Sequence, residues 1–194
     1  MNEQPKKYKW VGTRTIRPDG VDKVTGRAMY GADLTLPGML QGKVVRSPHA
    51  HARIISIDTS KAEALNGVKA VITAADMPVA DRTPVAAGEA MINFRDLSEN
   101  VIAREKVLYE GQTVAAVAAT SVDIAEQAVA LIVVEYEVLP HVIDVMEAVK
   151  DDAPVLHDHL FTGGVKPKPE KASNVANRVA FSIGDIEAGF KDAD

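Results

Sequence analysis

Cysteine is absent from the 194 residues. That removes disulfides, thiolate zinc sites, iron–sulfur ligation and cysteine nucleophiles from the chain at once. Aromatic residues are scarce at 5% of the total, so a core has to be built from Val, Ile, Leu and Ala. Long apolar runs are missing as well. The longest, residues 128–134, is far short of the ~20 residues a membrane helix needs. The stretch from Met1 to Gly12 is too polar for a secretory signal. A soluble, cytoplasmic chain without membrane insertion is expected. Basic charge is in deficit too, with 22 Lys+Arg against 27 Asp+Glu and a net charge of −5. Seven of the bases fall in residues 1–27 with only three acids, which leaves an acidic body behind a basic arm. Nucleic acid is therefore excluded as a partner, because binding it needs clustered Lys and Arg. Neither phosphate-cradling glycine pattern, Gly-x4-Gly-Lys or Gly-x-Gly-x-x-Gly, occurs.

What is present is ordinary globular material: 46% hydrophobic and 25% charged residues, enough for one domain or slightly more. The first thirty residues read as an extended arm with turns, the clearest at Arg17-Pro18-Asp19-Gly20. Residues 40–46, 52–58 and 68–72 read as strands. Ser60-Lys61-Ala62-Glu63 fits a capping box opening a short helix that Gly67 stops. Residues 77–105, interrupted by Pro78, Pro84 and Gly88, read as a long loop with at most short helical pieces. Residues 106–109, a Glu110-Gly111-Gln112 turn and residues 113–119 read as a hairpin or tight strand–turn–strand. Ser121 caps a helix with Ile124, Ala125, Ala128, Val129 and Ile132 on one face. A strand over 132–138 ends at Leu139-Pro140, and Asp144 caps another short helix. Residues 150–177, rich in Gly, Pro and charge, read as a linker or crossing segment. Residues 178–183 return to strand character and 185–192 to helix. Strand–strand neighbours outnumber helical crossovers, so the fold class is α+β: a mixed small sheet with short helices and an extended N-terminal arm.

The chemistry-bearing residues form no convincing catalytic constellation. His49-Ala50-His51 and His157-Asp158-His159 have chelating spacing, but a metal needs further ligands and only His141 remains. The plainer reading is histidines bonded to backbone. Glu135 and Glu137 share one face of a strand, as paired acid–base carboxylates do, and as any solvated strand face does. Asp151-Asp152 is most simply a charged turn. Ser47 lies near two histidines without a strand–Ser–helix elbow around it. No catalytic, cofactor-binding or metal residue is assigned on these grounds.

Several segments taken in order carry a resemblance. They are Asp19-Gly20-Val21-Asp22-Lys23-Val24-Thr25-Gly26-Arg27-Ala28-Met29-Tyr30 with Ala32-Asp33, and then Arg46-Ser47-Pro48-His49-Ala50-His51-Ala52-Arg53-Ile54. Ile57-Asp58-Thr59-Ser60 and Gly67-Val68-Lys69-Ala70-Val71 follow. Further on come Val107-Leu108-Tyr109-Glu110-Gly111-Gln112-Thr113-Val114-Ala115-Ala116-Val117 and Val134-Glu135-Tyr136-Glu137-Val138-Leu139-Pro140, with Gly184-Asp185 through Ala193-Asp194 closing the set. The chain resembles the N-terminal α/β hammerhead domain of the large, molybdenum-bearing subunit of the xanthine dehydrogenase/aldehyde oxidase family.

The resemblance implies a hammerhead-like fold divided into an arm (1–30), a hammerhead domain (31–149), a crossing segment (150–177) and the start of a connection (178–194) to a molybdopterin-binding domain. It implies a non-catalytic structural part of a hydroxylase that oxidises aldehydes, purines or N-heterocycles. No cofactor is expected in this chain. Molybdopterin-molybdenum belongs to the full enzyme, with iron–sulfur clusters and in some members FAD on other subunits. The implied partners are the molybdopterin-binding domain and those iron–sulfur and flavin subunits. Within that picture, Gly111 and Gln112 and the 77–105 loop are the expected partner contacts. A free-standing binding or assembly module with the same fold and no oxidoreductase activity is the alternative.

Overall fold

The structure, a computed structural model, describes residues 8–88 and 90–193. The expectations for residues 1–7 of the arm, and for the final Asp194, lie outside those residues. Residues through Met39 form one compact unit and residues from Leu40 onward form another.

The first unit is held by local turns. Gly20 N–H donates to Arg17 O at 3.1 Å, closing the expected turn. A five-residue helix that the sequence reading did not anticipate, α1 (Gly20–Val24), follows directly. Asp19 draws Arg17 (2.9 Å) and Lys23 (2.5 Å) around the start of α1. The Lys23 hydrogen bond, then that of Arg17, holds its carboxyl below the usual range. α1 buries no residue.

The second unit is built on two antiparallel three-stranded sheets. β1 (Gln41–Arg46), β7 (Thr113–Ala119) and β3 (Val68–Thr73) make one, with β7 central. β6 (Lys106–Val107), β2 (Ala52–Asp58) and β8 (Val133–Val138) make the other, with β2 central. Each central strand is flanked by antiparallel partners, and the α+β class follows from this topology. Of the two expected forms for 106–119, the structure has the strand–turn–strand and not the hairpin. β6 and β7 follow one another through the Gly111 turn, yet β6 pairs with β2 and β7 with β1 and β3. Gly111 sits at φ +89°, the left-handed region that glycine enters without cost.

β7 explains how so few aromatics suffice. Val114 turns into one cluster with Ala52, Ala103 and Val107. Ala115, Val117 and Ala119 turn into the other with Ala62, Ala125, Ala128 and Ile132. Alanines on both surfaces let α4 (Val122–Leu131) lie close on the sheet. Ser121 caps α4, its Oγ accepting from Ile124 N–H at 3.2 Å, and the expected apolar stripe faces inward. The cap of α2 (Ser60–Glu63) differs from the expected box. Ser60 N–H and Oγ both donate to Asp58, while Thr59 Oγ1 donates to Glu63 Oε1 at 2.6 Å.

Residues 77–105 hold more structure than a loop. A small hairpin, β4 (Val85–Ala87) with β5 (Ala90–Ile92), leads into the eight-residue helix α3 (Phe94–Val101). Asn93 caps α3 by accepting from Asp96 N–H at 3.1 Å. After β8 come α5 (Val145–Ala148), capped by Asp144 as expected, and α6 (Ile186–Lys191), capped by Asp185. Residues 178–183 make no strand. Their alternating Val179, Phe181 and Ile183 are all strongly exposed, and no strand among the described residues lies alongside to pair with them.

Candidate functional site

The Gly111-Gln112 turn is where the chain's elements are tied together. Gln112 is only 1% exposed. Its Oε1 accepts from Leu108 N–H at 2.7 Å and its Nε2 donates to Glu99 O at the end of α3 at 2.9 Å. Its carbonyl accepts from Ser47 N–H at 2.9 Å, and Gly111 N–H donates to Ser47 O at 2.8 Å. Arg46 Nη1 closes the ring on Gly111 O at 2.8 Å. The buried amide therefore joins α3 to the 108–112 turn, and the backbone of Gly111 and Gln112 joins that turn to the crossing from β1 to β2. The side chain of Gln112 is spent inside the domain, so the surface this turn presents comes from Gly111 and its exposed neighbours Tyr109 and Glu110. Here a mainly apolar cleft of about 300 Å³ is lined by Ala50, Leu108, Tyr109, Val142 and Ile143, with Glu110 also on its wall.

Ser47 and the first histidine pair contribute shape. Ser47 Oγ accepts from His49 N–H at 3.0 Å and donates to His49 O at 3.1 Å, a local turn in which no base acts on the hydroxyl. The His49 ring meets Tyr136 edge-on at 5.0 Å. His51 is buried with Nδ1 at 2.6 Å from Pro140 O, so Nδ1 carries the proton and donates. The two rings go to different partners and do not converge. His51 Nε2 and Tyr136 Oη are buried without hydrogen bonds. Burial pushes the Tyr136 phenol up, against a smaller opposing pull from the nearby Ser47 hydroxyl.

His157-Asp158-His159 lands in a cluster of charges that sequence reasoning missed. Arg82 pairs with Asp96 and with Glu99, the latter at 3.2 Å. Arg95 pairs with Glu99 one turn along α3 and with Glu105 at 3.3 Å. His159 Nε2 lies 3.0 Å from Asp96 and 2.9 Å from Arg82, and Lys106 Nζ reaches Asp158 at 3.0 Å. The two imidazoles meet edge-on at 5.9 Å. Burial acts to raise the Glu99 carboxyl, but the guanidiniums of Arg95 and Arg82 outweigh it and hold it below the usual range. The Lys106 hydrogen bond does the same for Asp158. Burial, and then the neighbouring His159, push the His157 imidazole below its ordinary value, against the pull of Asp96 and Asp158. The Arg95/Glu99 spacing of four, visible in the sequence, was the available signal.

This cluster fastens residues 150–177 to the body. Asn174 Nδ2 donates to Ala148 O and Pro154 O while its Oδ1 accepts from Leu156 N–H, and Lys106 Nζ also donates to Leu156 O. Glu135 and Glu137 lie on the exposed face of β8, paired with Ser56 and Arg53 of β2. Asp151 and Asp152 form an exposed turn.

A molybdenum–pterin group does not fit these residues. Among the described residues no three His, Asp or Glu side chains come together as a metal site. A groove of about 480 Å³ beside β2 and β3 has Glu63 and Asp76 on its lining, which repel an anionic pterin phosphate. Its one arginine, Arg104, is engaged with Met77 O at 3.0 Å.

A buried amide tie, a lattice of ion pairs and an alanine-rich core hold together a domain of α+β class. Comparison with known proteins identifies its kind. The family described as "Aldehyde oxidase and xanthine dehydrogenase, a/b hammerhead domain" matches residues 25–140. The chain is 38% identical to a probable xanthine dehydrogenase component of Bacillus subtilis (strain 168), over 92% of this chain and 21% of that protein. It is 42% identical to the carbon monoxide dehydrogenase large chain of Afipia carboxidovorans, over 81% of this chain and 19% of that one. Among solved structures, the Cu,Mo-CO dehydrogenase superposes with a TM-score of 0.60 at 40% identity, covering 75% of this chain and 18% of that chain. The protein belongs to the aldehyde oxidase/xanthine dehydrogenase hammerhead family. It spans about a fifth of the length of these relatives. No helix among the described residues is long and apolar enough to cross a membrane.

Proposed function

We propose that this chain is the N-terminal hammerhead part of the large subunit of a molybdenum hydroxylase. In that role it completes the fold around a molybdopterin-binding portion and shapes access to it, without carrying the chemistry. The observation that supports this best is the family match over 25–140 in a chain that spans only about a fifth of relatives named as subunits or large chains of dehydrogenases. The proposal extends to a cytoplasmic setting and to partners bearing the iron–sulfur centres, with flavin in some assemblies. It also makes the turn around Gly111, with Gln112 fixing its shape from behind, a contact to the molybdopterin-binding portion. The apolar cleft beside the turn is the adjoining surface for that contact.

The 194-residue chain expressed alone in a host that synthesises molybdopterin is expected to purify without molybdenum. A stoichiometry near one molybdenum per chain overturns the reading.

A further inference from the structure

Surface helices turn an apolar stripe to the core and charges to water. α3 does the opposite. Arg95 and Glu99 face the domain, with side chains only 14% and 21% exposed. Phe94, Leu97 and Val101, at spacings of three and four, are 51%, 50% and 61% exposed. Beside them Met77, Pro78, Ser98 and Ile102 complete a shallow cavity of about 270 Å³ whose lining holds no charged residue.

The helix cannot relieve this by rolling over. Its start is fixed by Asn93, which caps Asp96 and also donates through Nδ2 to Arg82 O at 3.2 Å. Its end is fixed by Gln112 on Glu99 O. Its inner face is fixed by the ion pairs to Arg82 and Glu105. The apolar stripe is thus locked outward, where its exposure costs free energy until something covers it.

We infer that the Phe94–Leu97–Val101 stripe and its cavity seat an apolar segment of the large-subunit polypeptide lying outside these 194 residues. That segment places an aliphatic or aromatic side chain against α3 and Met77. The inference rests on the function proposed above and names the surface through which it works. Three considerations select this occupant. The uncharged lining takes an apolar side chain and offers nothing to an acidic or basic peptide. A second copy of the chain is a poor fit, because an eight-residue helix is only about 12 Å long, and a two-fold contact through it falls short of the ~1,000 Å² that a stable interface needs. The matched stretch is 21% and 19% of the two relatives, so four-fifths of each lies outside it, ample to supply the covering surface.

The test is made on the full large subunit, as purified from the source organism, with hydroxyl-radical footprinting read by peptide mass spectrometry. Phe94 and Leu97 are expected to react at least tenfold more slowly than their half-exposed state in the 194-residue chain dictates. Reaction at the half-exposed rate in a molybdenum-containing assembly overturns the inference and leaves the proposed function standing. Recovery of these residues only as a bare chain without molybdenum overturns both. As a second arm, Leu97→Glu in the full subunit is expected to lower the yield of assembled molybdenum enzyme at least tenfold. Asn100→Glu, on the same helix and outside the stripe, is expected to leave it unchanged. The 194-residue chain carrying Leu97→Glu should keep its wild-type circular dichroism and melting temperature. Equal yields from the two variants overturn the inference.

Discussion

Replacing Gln112 with Met keeps the length and volume of the side chain while removing both polar atoms. Leu108 N–H and Glu99 O then lose their partners in a pocket where Gln112 itself is 1% exposed. A buried polar group left unpaired costs about 1–3 kcal/mol, so the two together cost about 2–6 kcal/mol. Trimming to Ala adds a cavity and a further loss of about 1 kcal/mol. Gln112→Glu is the sharper control, since a carboxylate can still accept from Leu108 but sets an acceptor against Glu99 O. Its ionised form is moreover costly to bury. Equilibrium urea unfolding at pH 7 measures all three. With a slope of about 2 kcal/mol per molar, Gln112→Met should move the midpoint down by about 1–3 M, and Gln112→Glu by at least as much. A midpoint within about 0.3 M of wild type for either variant refutes the assignment of Gln112 as the tie between α3 and the turn.

Three further outcomes follow from the same structure. Gly67→Ala forces a side chain into φ +96°, with its Cβ 2.7 Å from Ile124 Cδ1 and 2.9 Å from Thr120 Oγ1. A cost of about 2–4 kcal/mol is expected from strain plus overpacking, read as a lower urea midpoint; a neutral result contradicts the close approach of α4. Asn174→Ala removes the bonds to Ala148, Pro154 and Leu156, so limited proteolysis should open new cleavage sites within 150–177, and an unchanged digest contradicts the anchoring role. Stability should also fall with acidification in two stages. His157 binds its proton more weakly folded than unfolded, so below its ordinary value of 6.5 the unfolded state takes up protons the fold resists and stability declines. Glu99 and Asp158, held below their ordinary values of 4.5 and 3.8, add a second loss at lower pH. Melting curves from pH 8 to 2 should show both limbs, with His157→Gln flattening only the first; a melting temperature that rises between pH 7.5 and 5.5 contradicts the sign.

The strands were legible because their residues alternate or run apolar over short lengths. β2 begins and ends where the pattern of 52–58 does, and the apolar stripe of α4 faces inward as its spacing requires. Pairing was less legible. The 106–119 stretch has the local look of a hairpin, but Gly111 sends its two strands into different sheets, and which partner a strand finds is decided by distant residues. α3 was hidden for a related reason. The breakers Pro78, Pro84 and Gly88 dominate the start of its segment, and its apolar stripe points outward, so inward periodicity is no guide to it. The 178–183 stretch has the alternation of a strand and lacks a neighbour to pair with among the described residues. The role of Gln112 was beyond reach, since a glutamine in a turn and a glutamine tying three elements look alike until Glu99 O and Leu108 N–H are seen converging on it.

Residues that serve inside a molybdenum enzyme should bring that enzyme with them when captured from an extract of the source organism. An antibody to this domain would be used to purify what it holds, and the captured polypeptides would be sized and assayed for molybdenum. About one molybdenum per copy of this domain is expected, with the domain on a longer polypeptide or beside one carrying the remainder of the large subunit. A bare 20.8 kDa chain without molybdenum contradicts it and leaves a free-standing module.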